Sequence, residues 1–238
     1  MSHADNPYRS WGMTAADAQP SERADFIRRT YLHLGGAVLG FAALEAVLLN
    51  TPGIERMVAM MMGGRWSWMM VLGAFMVVSW VADSWAQSST SLGKQYAGLS
   101  LYVVAESVIF LPLLFIAKQM NADLIPEAGL ITVLLFGGLT AVVAFTKADF
   151  SFLRTGLTIA GFAAMGIMIC SAIFGFNLGI LFTAAMLVLA SGYILYHTSN
   201  VLHVYRTDQY VAASLALFAS VALLFWYVLR LLMEMNRR

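Results

Sequence analysis

Apolar residues in this chain do not alternate with polar ones in either a helical or a strand period. They come in long continuous blocks separated by short polar punctuation. Each block runs about 19 to 25 residues, enough for an α-helix to cross a hydrocarbon core of ~30 Å. The pattern predicts seven such helices, starting near Phe26, Trp66, Gln95, Leu130, Phe150, Leu178 and Gln209. The fold class is therefore all-α and polytopic. Asn50, Thr51, Pro52 and Gly53 are expected to end the first helix, since such residues favour turns. Pro126 and Gly129 are expected to precede the fourth, and Asp149 to cap the fifth. A Met-rich piece, Met57 to Met62, is read as interfacial. Residues 1–25 lack apolar periodicity and read as a polar, flexible tail, leaving residues 26–238 as one transmembrane domain.

Composition supports this pattern. Of 238 residues, 60% are hydrophobic and 11% charged, and mean hydropathy is +0.75. Soluble domains carry near 25% charge, so this chain could not cover its surface with solvated groups. The first block is longer than a signal-peptide core of ~7–15 residues, contains Glu45 and has no small-residue cleavage site after it. It is read as a retained helix. A net charge of +1 without a basic patch excludes nucleic acid as the natural partner. Cys170 is the single cysteine and sits in an apolar run, so no internal disulfide or thiolate metal site is expected. No cofactor motif is present, and no spacing marks a nucleophile with its base, so an enzyme is not the expectation.

Orientation follows from the basic residues of the short connections. With the N-terminus inside, Arg9, Arg23, Arg28, Arg29, Lys94, Lys147, Arg154 and Arg206 fall on the cytoplasmic side. Arg56, Arg65, Lys118, Arg230, Arg237 and Arg238 fall opposite. The bias favours a cytoplasmic N-terminus.

The residues with chemical content are ionisable groups within apolar blocks. Each costs ~2.5–3.5 kcal/mol at mid-helix on insertion scales, so a partner, a cavity or an ion pathway is expected around it. Glu106 lies nearly halfway along the third block, and Glu45 in the outer part of the first. Asp83, His33 and His197 all lie toward the cytoplasmic ends of theirs. Depth allows an Asp83–His197 pair, which would make a proton-sensitive contact, or each residue could simply reach interfacial water. Glu45, nearer one surface, reads as structural. The methionines at 57 and 60–62 lack a histidine or cysteine neighbour, so packing is preferred over copper binding. Aromatic residues at block ends read as a membrane belt.

Several stretches resemble the Bax inhibitor-1 family, also called the transmembrane Bax inhibitor motif family, and its bacterial branch in particular. They are Phe26 to Tyr31, Thr146 to Leu153, Gly192 to Ser199, and Tyr210 through Leu232. The resemblance implies seven helices with the seventh central, a location in the bacterial inner membrane, and a pH-sensitive calcium leak. It also implies two facing aspartates, from helices six and seven. Here those positions fall on His197 and Ser220, and a following asparagine falls on Leu223. A histidine and a serine make neither a carboxylate pair nor a hard-cation cage. The candidate pathway and pH-sensing residues are therefore Glu106, Asp83, His197 and Ser220, with calcium ions or protons as the implied permeants. The alternative is a non-transporting modulator of a membrane-bound AAA protease or another membrane partner, engaged through the N-terminal tail. A proton-coupled transporter ranks last, because no internal repeat is visible.

Overall fold

The computed structural model describes residues 13–88, 91–146 and 148–237, the side chain of Arg65 excepted. Among them are eight helices: α1 (Pro20–Leu48), α2 (Ile54–Met62), α3 (Arg65–Ala86), α4 (Leu92–Met120), α5 (Leu124–Thr146), α6 (Leu153–Phe174), α7 (Ile180–His203) and α8 (Tyr210–Asn236). All but α2 are long and apolar enough to cross a membrane. No sheet is formed among the described residues; one isolated bridge joins Thr14 to Arg206.

Helix α8 is the hub. It is buried over 67% of its most apolar stretch, against 50% for α4 and at most 28% for any other membrane helix. It packs on α1, α3, α4, α5 and α7. This places the seventh membrane helix at the centre, as the family resemblance implied. The outer helices present large apolar residues such as Leu39, Phe145, Phe162 and Leu181 outward. In water that surface would drive aggregation; in lipid it is the expected solvent-facing side.

Helix ends show how local chemistry sets the spans. Beyond Leu48, the Asn50 amide donates to the Ala46 carbonyl at 2.7 Å. The Thr51 hydroxyl donates to Val47 at 2.8 Å. These side chains bond carbonyls of the last helical turn, where the regular backbone ladder runs out. Gly53 then turns the chain with φ +86°, a left-handed conformation that glycine adopts without steric cost. Helix α2 lays Ile54 and Val58 against Leu111 of α4 and buries Met61, with Met60 and Met62 exposed.

Three boundaries differ from expectation. Helix α1 begins at Pro20, where proline's missing N–H is harmless in a first turn. Residues 20–25 are thus helical, while residues 1–12 of the anticipated tail lie outside the described residues. Ahead of α1, the Ala15 N–H donates to the Tyr205 carbonyl at 2.8 Å. Helix α5 begins at Leu124, because Pro126 sits within the first turn rather than ahead of it.

Asp149 is not the cap of α6: that position is held by Phe152, with no side-chain bond. The Asp149 carboxylate instead accepts from the Ser151 N–H at 2.8 Å and the Ser151 hydroxyl at 3.0 Å. Ser199 of α7 stands alongside, accepting from the Phe150 N–H at 2.9 Å. The Ser151 backbone bond, aided by its hydroxyl, holds the Asp149 carboxyl below its ordinary 3.8. A lowered folded-state value means that this stabilisation is full above the unfolded value and lost as pH falls through the folded one. Asp149→Asn is therefore expected to melt below the wild type at pH 7. That gap should narrow once the pH drops under 3.8, as paired thermal melts would show.

Candidate functional site

Between α3, α4, α6, α7 and α8 lies a cavity of about 700 Å³. Its walls bring together three of the four residues singled out by sequence: Glu106, His197 and Ser220. They come from three different helices, so the meeting is a product of tertiary packing.

Glu106 sits midway along α4 and is 6% exposed. The Tyr102 hydroxyl, one turn earlier on the same face, interacts with its carboxylate. Among the described residues Glu106 forms no salt bridge. The His197 ring is flanked by two tyrosines: Tyr193, near-parallel at 6.0 Å between centroids, and Tyr196, edge-on at 5.0 Å. Its Nδ1 is buried and has no hydrogen-bond partner among the described residues. The Ser220 hydroxyl donates to Ala216 at 2.9 Å, within its own helix. Ser220 lines the cavity but brings no charge to it.

Asp83 is not part of this lining. Its carboxylate accepts from the Gln87 amide at 2.6 Å in the last turn of α3. No hydrogen bond or ion pair joins Asp83 to His197 among the described residues, so the pairing that depth allowed is not formed. His33 is also elsewhere. Its ring nitrogens lie 2.6 Å from the Arg29 carbonyl and 3.0 Å from the Tyr96 hydroxyl, and its ring sits beside Tyr210. Glu45 is 4% exposed on the buried face of α1, with neither carboxylate oxygen hydrogen-bonded among the described residues.

Two features of the cavity escaped the sequence reading. The first is Arg230, which lines it but is engaged locally. It contacts Glu234 at 3.2 Å and donates to the Leu178 carbonyl at 2.7 Å, while Thr183 donates to Glu234 at 3.1 Å. An arginine and a glutamate four apart at the end of an apolar run carry the signal of such a pair. The second is the aromatic wall, where Phe110 meets Trp226 edge-on at 5.0 Å and Phe75 lies 6.3 Å from Tyr102. No group of three or more His, Cys, Asp or Glu capable of holding a metal occurs among the described residues.

Known proteins share this chain's sequence at moderate levels. An uncharacterised protein of Pseudomonas aeruginosa is 28% identical, with 66% of this chain and 68% of that protein covered. The Golgi anti-apoptotic protein of Vaccinia virus is 28% identical over 59% of this chain and 60% of its own length. Protein lifeguard 4 of Mus musculus is 26% identical over 96% and 93%. These relatives span a bacterium, a virus and a mammal, so they support the family as a whole rather than one branch. Residues 23–238 match the family described as inhibitor of apoptosis-promoting Bax1, a family of membrane proteins rather than enzymes. This chain is a multi-pass integral membrane protein that belongs to the Bax inhibitor-1 family.

Proposed function

We propose that this protein is a pH-sensitive cation leak, with calcium as permeant, whose route runs through the cavity beside α8. The supporting observation is that Glu106, His197 and Ser220 share one cavity wall inside a seven-helix bundle. Glu106 takes over as the acidic group of the pathway, since a histidine and a serine stand where the family resemblance implies two aspartates. One carboxylate with few other oxygens makes a weak calcium site, and conduction needs binding weak enough for release. Arg230 faces the same space, but Glu234 offsets its charge.

Proton and calcium compete for the Glu106 carboxylate, so flux rises with pH. The groups facing it are Tyr102 of α4, His197 and Tyr193 of α7, and Tyr227 and Arg230 of α8. Asp83 of α3 acts on Tyr102 from beyond the wall. In this reading the protein occupies a bacterial inner membrane with its N-terminus cytoplasmic.

The test is calcium-dye influx into proteoliposomes at pH 6 and pH 8. The wild type should exceed empty liposomes at both values and leak more at pH 8. Glu106→Gln should lower influx at least tenfold and remove the pH dependence. A wild type no leakier than empty liposomes would sink the leak. Attention would then move to a modulator role toward a membrane AAA protease, read by co-purification with and without the residues before Asp25.

A further inference from the structure

The cavity's chemistry points past inorganic ions. Its walls are mostly carbon, and seven of its residues carry phenyl, phenol or indole rings, contributed by α3, α4, α7 and α8, with Trp68, Tyr102, Tyr193 and Trp226 among them. Aromatic faces carry negative quadrupolar charge and attract cations that shed little hydration. Within this wall sits one carboxylate, Glu106, 6% exposed and without a cationic partner among the described residues. Arg230, the only arginine in the lining among the described residues, is held by Glu234 and the Leu178 carbonyl, so it offers no free charge to an anion. At about 700 Å³ the space falls within the ~300–1,000 Å³ of pockets that hold drug-sized ligands.

A metal ion in passage finds too few oxygens here to be held, and a neutral ligand would leave Glu106 without a counter-charge. A bulky organic cation meets both demands: its apolar surface packs on the rings while its charge answers the carboxylate. We infer that this cavity is a binding site for hydrophobic organic monocations, such as aryl-substituted ammonium or phosphonium compounds, with Glu106 as counter-ion and the aromatic wall as cage. The inference rests on the cavity and not on conduction, so it stands or falls separately from the leak.

The experiment is saturable binding of radiolabelled tetraphenylphosphonium to purified protein in nanodiscs, with tetraphenylborate as competitor. The borate has nearly the same shape and the opposite charge. The wild type is expected to bind the phosphonium saturably and to be indifferent to the borate. Glu106→Gln should weaken binding at least tenfold with an unchanged melting temperature, and Trp226→Leu should weaken it severalfold. Glu106→Asp, which keeps the charge, should retain most of the affinity. Absence of saturable binding to the wild type, equal binding by Glu106→Gln, or equal competition by the borate would each overturn the site. If Glu106→Gln does not fold, the phosphonium–borate comparison on the wild type decides alone.

Discussion

Gly98→Val is expected to destroy the seam between α3 and α4 and to cost more stability than any other substitution considered. A Cβ at Gly98 would stand 2.5 Å from the Ala82 carbonyl oxygen and 2.6 Å from the Ala86 nitrogen, with the Trp85 Cβ at 3.0 Å. The first two are backbone atoms, which cannot rotate away as a side chain would. Ala82 and Ala86 are themselves fully covered, so the crossing is made of small residues on both sides. Membrane helices gain little from hydrophobic exclusion against lipid and depend on such close approach. Overpacking a core costs ~1–3 kcal/mol where side chains can yield, and the upper end or more is expected where backbone must move. Thermal melts in detergent should show a large fall, or no monodisperse protein at all. Gly73→Ala, in the facing helix α3 and with nothing within 4 Å, is the control. It should be neutral or slightly stabilising, because alanine favours helix by ~1 kcal/mol over glycine. Equal behaviour of Gly98→Val and wild type would mean that α3 and α4 do not cross there.

Glu45→Met is expected to have the largest effect in the opposite direction. Its carboxylate is buried on the inner face of α1, and among the described residues neither oxygen is hydrogen-bonded. Lys118 reaches the same end of α1, yet it donates to the Asn50 side chain at 3.1 Å and the Leu49 carbonyl at 3.4 Å. Leaving a buried polar group without partners costs ~1–3 kcal/mol, more when it is charged. Methionine has similar length and no such cost, so a gain of about 1–3 kcal/mol should appear as a higher melting temperature. Glu45 is outside the cavity lining, so calcium influx should be unchanged. A destabilised Glu45→Met, or one that loses influx, would show that the carboxylate has a partner or a role in the working protein.

The seven membrane helices were legible because block length alone separates a span from a loop. Helix ends were harder, since Pro126 and Asp149 each carry two local meanings. A proline can precede a helix or open it, and an aspartate can cap a helix or close a turn before it. The site was partly legible for a similar reason. A carboxylate deep in an apolar block is conspicuous, and Glu106 does line the cavity. Helix rotation is not written in composition, so depth left two readings of Asp83 and His197 open, and no bond joins them among the described residues. Asp83 points to Gln87, while its neighbours Ala82 and Ala86 face α4. The aromatics divide the same way. Trp66 and Trp80 are exposed as belt residues would be, whereas Trp68, two positions from Trp66, turns into the cavity. Arg230 was read as a topological flank, because its partner Leu178 is a backbone carbonyl far away in sequence.

The central claim is that cations pass through the cavity that Ser220 faces. Cys170, the chain's single cysteine, can be replaced by alanine and a thiol placed at position 220 as Ser220→Cys. Calcium influx into proteoliposomes would be recorded before and after a bulky methanethiosulfonate, and again after reduction. The same folded molecules then serve as their own control. Influx should fall at least tenfold on modification and return on reduction. Unchanged influx with the thiol verified as modified would contradict the route.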